Sequence, residues 1–166
     1  DKAQEVSRIA RLLKFGRTHI VYYFWQMKLE EVRGKRILLS ALNWGMGHVS
    51  RSIGLMNQLL VQGNEIIVAC DKAQQEVFES YFPQVKCIFH AGYPFDFSGN
   101  GTFGSDLFAN RKKLFPRFAT EQKEVKAMVS EHAIDLVVSD HRYGFFSRKV
   151  PSVFVTHQLF LPLKWY

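Results

Sequence analysis

The sequence predicts an α/β protein, a doubly wound, Rossmann-like parallel sheet with helices on both faces. Three observations carry this. From residue 36 onward, short apolar runs of strand length alternate with longer segments of helical spacing, the pattern of a parallel sheet covered on both sides. The first run, Ile37-Leu38-Leu39-Ser40-Ala41-Leu42, leads into a glycine turn, Asn43-Trp44-Gly45-Met46-Gly47-His48-Val49-Ser50-Arg51, and then into a helix. Polar and titratable residues gather just after the apolar runs, where open parallel sheets bind ligands.

The elements follow in order. The first strand covers Arg36–Ala41. A helix spans His48–Gln62, with Val49, Ile53, Met56, Leu59 and Leu60 on one face and Gly63 as its stop. The second strand is Glu65–Ala69. A second helix covers Ala73–Tyr81 and ends before Pro83. The third strand is Val85–Phe89, followed by a glycine-rich loop from Gly92 to Ser105. A long helix runs from Leu107 to Glu131 and is expected to break at Pro116. The fourth strand is Asp135–Ser139 and the fifth Ser152–Thr156. No internal repeat or low-complexity tract occurs.

Composition narrows the function. At 166 residues, 47% hydrophobic and 22% charged, the chain is long enough for one domain with a real core. Aromatics reach 14%, with 15 Phe; they can fill the core or form an apolar acceptor surface, and core is the commoner use. The net charge of +7 is concentrated at one end, since residues 1–36 hold nine Lys/Arg against four Asp/Glu. The remainder is nearly neutral and carries no nucleic-acid motif, so nucleic-acid binding is disfavoured. Cys70 and Cys87 lie in apolar runs and read as buried reduced thiols, which fits a cytoplasmic protein. No run approaches the ~20 apolar residues of a membrane span, and no cleavable signal pattern opens the chain. No metal-ligand spacing links the cysteines and histidines.

Residues 1–35 form a basic leader apart from the domain at 36–166. Val6, Ile9, Ala10 and Leu13 fall on one helical face, with Arg8, Arg11 and Lys14 elsewhere. His19 to Trp25 is aromatic and ambiguous between strand and helix. A basic amphipathic leader can lie on an anionic membrane. It can equally pack on the domain or be poorly ordered, which is common at termini.

The chemistry centres on the glycine turn. Gly45 and Gly47 allow a sharp turn and close backbone approach to a ligand. The helix start offers N–H groups and partial positive charge to phosphate. His48 places a titratable imidazole there and is a candidate general base. Arg51, one turn on, shares its face and can hold a phosphate or carboxylate, or simply be solvated. Asn43 binds at the turn or only stabilises it. Asp140 orients His48 or Arg142, or caps its turn; Arg142, His157 and Gln158 complete the substrate-binding candidates at the strand ends. As a dinucleotide fingerprint the turn is degraded, because Ser50 stands where the third glycine belongs, although Asp71 is placed for the acidic position. There is no Walker loop and no serine nucleophile elbow.

The block Ile37–Asp71, the strand Asp135-Leu136-Val137-Val138-Ser139-Asp140 and the run Pro151-Ser152-Val153-Phe154-Val155-Thr156-His157-Gln158 together resemble the amino-terminal domain of GT-B glycosyltransferases. They are most similar to the MurG-like branch (glycosyltransferase family 28 and relatives), over about residues 36–162. The resemblance implies the acceptor-side half of a two-domain enzyme. That enzyme moves a sugar from a nucleotide-sugar donor to a hydroxyl acceptor, with His48 as general base and no metal or other cofactor. It implies a donor-binding carboxyl-terminal domain that this chain lacks, so the chain by itself is expected to be inactive. It makes Gly92–Ser105 an acceptor-side flap. It also fits a cytoplasmic protein, with the basic leader touching the inner membrane face near a lipid-linked acceptor. A nucleotide-sugar hydrolase of the same fold, and a non-catalytic nucleotide- or partner-binding module, are the alternatives. Asn43-Trp44 departs from the more glycine-rich first loop of the peptidoglycan enzyme, whose substrate is therefore not carried over.

Overall fold

The computed structural model describes residues 29–96 and 103–156. Most of the basic leader, part of the glycine-rich loop, and His157 and Gln158 lie outside the described residues. A 3-10 turn, Leu29–Glu31, precedes β1 (Arg36–Ala41), α1 (Met46–Val61), β2 (Glu65–Cys70), α2 (Lys72–Tyr81), β3 (Lys86–Phe89), α3 (Phe103–Glu131), β4 (Leu136–Asp140) and β5 (Ser152–Val155). The five strands form one sheet in the order β3-β2-β1-β4-β5, and every pairing is parallel. The expected α/β Rossmann-like class is the one observed.

Side-chain alternation along the strands splits the core in two. Ile37, Leu39, Ala41, Val68, Cys70, Leu136 and Val138 pack with Val49, Met56 and Leu59 of α1 and Phe78 of α2. Leu38, Ile67, Ala69 and Val137 face the other way, onto Val125, Met128 and Val129 of α3. Helices therefore cover both faces. A small third cluster, Leu42, Tyr93 and Leu114, lies past the end of β1, with Trp44, Phe95 and Phe118 against it.

Chain order reverses between β1 and β4. From β1 the chain winds outward through β2 to β3, then returns by α3 to β4 on the other side. Such a switch point opens a crevice between the two carboxyl ends. Ala41 pairs with Asp140 there, and Leu42 N–H donates to the Asp140 carbonyl at 2.9 Å.

Three expectations need correction. α1 begins at Met46, two residues early, with Gly45 as N-cap. Gly45 has φ +108°, which only glycine adopts without strain, whereas Gly47 lies inside the helix and makes no turn. α3 does not break at Pro116. Proline removes one N–H, while buried side chains such as Leu114 and Glu121 anchor the helix on either side of it. Asp140 is the last strand residue rather than the first of the turn.

Both cysteines are free. Cys70 is buried in β2, and burial pushes its thiol far above the usual range.

Candidate active site

The glycine turn hands the chain from β1 to α1. Gln74 on α2 donates its Nε2 to the carbonyls of Ala41 and Leu42, at 3.2 and 3.3 Å, which pins the end of β1. The N-cap of α1 is Gly45, which supplies no side-chain cap. Asp71, placed by sequence for a ribose contact, instead caps α2, accepting from Gln74 N–H at 2.9 Å.

His48, Arg51 and Asp140 meet at the switch point. His48 Nδ1 lies 3.0 Å from Asp140 Oδ1. Arg51 donates its Nε to Asp140 Oδ2 at 3.0 Å and its Nη2 to Oδ1, a two-pronged pair. The Asp140 side chain is 3% exposed, that of His48 13% and that of Arg51 34%. Burial of the carboxylate makes its cationic partner necessary. Arg51 Nη2 also comes within 3.0 Å of His48 Nδ1. Two partners thus compete for that nitrogen. The carboxylate accepts if Nδ1 carries the proton, and the guanidinium donates if it does not.

Of the sequence candidates, the structure brings together Asp140, His48 and Arg51 beside Gly45. It also explains Asn43, whose Oδ1 accepts from Tyr93 N–H at 3.0 Å and so ties the glycine turn to the segment after β3. A Cβ on Gly92 would overlap the Asn43 carboxamide. Gly47 sits in the first turn of α1, with open space where its Cβ would be. Arg142 lies elsewhere. It is 1% exposed and points to the α3 face, its Nε 2.7 Å from Glu121 Oε1.

Arg142 belongs to a second polar centre, whose α3 members Arg117, Glu121 and Glu124 sequence reading missed. The Glu121 carboxylate, fully buried on α3, also accepts from Tyr93 Oη, and His90 Nε2 lies 3.1 Å away. Arg142 Nη2 donates to the Ala91 carbonyl at 2.7 Å, and Arg117 Nη2 donates to the same carbonyl at 2.9 Å. Glu124 stands 3.2 Å from His90 Nδ1. Burial pushes the His90 imidazole below its usual range, and Arg142 pushes the same way, outweighing its two carboxylate neighbours. Burial alone would raise the Glu121 carboxyl, but His90, Arg142 and Tyr93 hold it below its usual value.

An aromatic rim borders the first centre. Trp44 and Phe95 have ring centroids 4.2 Å apart. His141 stacks on Phe154 at 5.7 Å, and its ring lies 5.2 Å from that of His48. His141 Nε2 lies 2.5 Å from Thr156 Oγ1. Among the described residues, no group of three or more His, Cys, Asp or Glu could hold a metal ion, and no helix is long and apolar enough to cross a membrane.

No protein family and no curated protein matches the chain by sequence. Several solved structures are weakly similar, two of which follow. One is Glycyrrhiza uralensis UGT73P12 complexed with glycyrrhetinic acid 3-O-monoglucuronide, at 14% identity and TM-score 0.43 over 66% of this chain. The chain spans 24% of that protein. The other is the C-terminal domain of the PF1911 hydrogenase from Pyrococcus furiosus, at 15% identity and TM-score 0.43 over 74% of this chain and 92% of that one. Likeness this weak says nothing of function; what is established is a Rossmann-like fold whose described residues form a five-stranded, all-parallel sheet.

Proposed function

We propose that this chain is the acceptor-side half of a glycosyltransferase that moves a sugar from a nucleotide-sugar donor to a hydroxyl acceptor. The observation that carries the reading is the His48–Asp140 contact at the sheet's switch point, next to a glycine-started helix.

The chemistry follows from the geometry. A proton on Nδ1, donated to Asp140, makes Nε2 the basic nitrogen that takes the acceptor's hydroxyl proton. That oxygen then attacks the anomeric carbon, and the bond from this carbon to the donor phosphate oxygen breaks. Asp140 steadies the imidazolium that forms. The first turn of α1, with the helix dipole, offers stabilisation to phosphate oxygens. Arg51 neutralises Asp140 and adds positive charge to the same crevice. The rim of Trp44, Phe95 and Phe154, with the Tyr143 ring 5.4 Å from that of Phe154, suits an acceptor with an apolar face, a lipid-linked one included.

The test is a transfer assay on the full-length two-domain protein, with a panel of nucleotide sugars and hydroxyl acceptors. His48→Ala is expected to lower transfer roughly 10²–10⁴-fold; an unchanged rate removes His48 from the mechanism. Sugar released at full rate without acceptor would make the protein a nucleotide-sugar hydrolase, with His48 activating water.

A further inference from the structure

We infer that Glu121 is the positioning residue of the His48 centre: one buried carboxylate on α3 fixes both chain segments that flank the imidazole. This rests on the reading of His48 as the reacting group.

The first connection runs through Arg142. Asp140, which touches His48, is joined to Arg142 by a tight turn in which Ser139 Oγ donates to the Arg142 carbonyl at 2.6 Å and accepts from Arg142 N–H at 3.2 Å. His141, between them, has φ +58°, an unusual conformation for a residue with a Cβ. It sends Arg142 to the face opposite Asp140, where Arg142 Nε and Nη2 both lie 2.7 Å from Glu121 Oε1. The turn is therefore fastened at its far end by Glu121.

The second connection runs through Tyr93. Its Oη donates to Glu121, while its backbone N–H donates to Asn43 Oδ1 at 3.0 Å. Asn43 lies two residues before Gly45, the N-cap of α1, and α1 carries His48. Gly144 closes the circuit. Its N–H donates to Tyr93 Oη at 3.1 Å, and a Cβ there would lie 2.5 Å from Glu121 Oε2. Glu121 itself is fully buried. Its remaining neighbour, His90, sits in the segment that Asn43 holds.

The experiment reads His48 directly, with no donor or acceptor present. In the ¹⁵N-labelled chain the His48 imidazole signals are assigned by their disappearance in His48→Gln. The double variant Glu121→Leu/Arg142→Leu removes both buried charges at once, an exchange that buried ion pairs often tolerate. It is expected to melt cooperatively and yet lose the wild-type His48 tautomer ratio. A wild-type His48 spectrum in that folded variant overturns the proposal. Should the double variant not fold, Arg142→Lys keeps the charge and loses the fork; moved His48 signals support the proposal and unmoved ones overturn it. Leu59→Ala, remote in the core, is the control for general loosening. Equal displacement of His48 by Leu59→Ala also overturns it. Because the spectrum needs no turnover, this outcome is separate from the outcome of the transfer assay.

Discussion

Asp140 and Arg142 are two residues apart and lie on opposite faces of the sheet. Asp140 meets His48 and Arg51 of α1, while Arg142 meets Glu121 of α3. In a regular strand, residues two apart share a face. The left-handed conformation of His141, φ +58°, breaks that rule. A β-branched residue is a genuine outlier there. His141→Val is therefore expected to cost roughly 1–3 kcal/mol, read as a lowered urea midpoint with unchanged slope. His141→Asn, which tolerates this conformation, should remain near wild type in stability.

Asp140→Asn tests the first polar centre. The substitution leaves Arg51 and His48 facing a neutral carboxamide in a site whose carboxylate is 3% exposed. A loss of about 1–3 kcal/mol is expected from the unsatisfied buried groups. The His48 imidazole should change its tautomer ratio in ¹⁵N spectra, because the carboxylate that favours a proton on Nδ1 is gone. An unchanged ratio would show that Arg51, not Asp140, governs that nitrogen.

Two glycines are predicted to be irreplaceable for different reasons. At Gly144 an added Cβ would lie 2.8 Å from the Phe118 carbonyl oxygen and 2.9 Å from its Cα. Backbone cannot step aside easily, so Gly144→Ala should destabilise by about 1–3 kcal/mol. At Gly92 the obstacle is the Asn43 side chain. Gly92→Ala should cost a similar amount alone, and markedly less on an Asn43→Ala background. A double-mutant cycle on melting data measures that coupling; strict additivity would disprove the contact.

The second centre predicts acid sensitivity in two stages. The folded His90 resists protonation, its value lying below the ordinary 6.5. The unfolded chain then binds more protons as pH drops below 6.5, so stability falls. The folded Glu121 lies below its ordinary 4.5. Its contribution is full above that pH and is lost as pH falls through the lower folded value. Melting temperature should thus decline from pH 7.5 to 5 and decline again below 4.5. His90→Gln keeps a donor toward Glu121 and should flatten the first stage only.

The fold was legible because the strands are apolar runs of the right length and the first helix carries a clear apolar stripe. The reach of α3 was not, since Pro116 is a local signal and burial on both sides of it is not. Within the site, the glycine turn and His48 announced themselves by adjacency in sequence, and Arg51 by its helical spacing. Asp140 was among the candidates, but its partner could not be chosen: alternation along a strand keeps Asp140 and Arg142 together, and the positive φ that separates them leaves no mark in a His residue. Glu121 sits in a run of charged residues and reads as a solvated face. A usable signal existed, because Leu114, Phe118, Glu121, Val125 and Met128 recur at spacings of four and three, which places Glu121 on the inward stripe. A charge in that register must be paired, and His90, Tyr93 and Arg142 meet the need.

The contact between His48 and Asp140 spans 92 positions of sequence. Its two halves arrive on strands that neighbour each other in space but are separated along the chain by β2, α2, β3 and α3. Pairings of such long separation form late, since loop closure must precede them. A chain emerging from synthesis can therefore build β1, α1 and β2 while its imidazole still has no carboxylate. The contact would form only when β4 docks, which makes it a natural reporter of the completed fold.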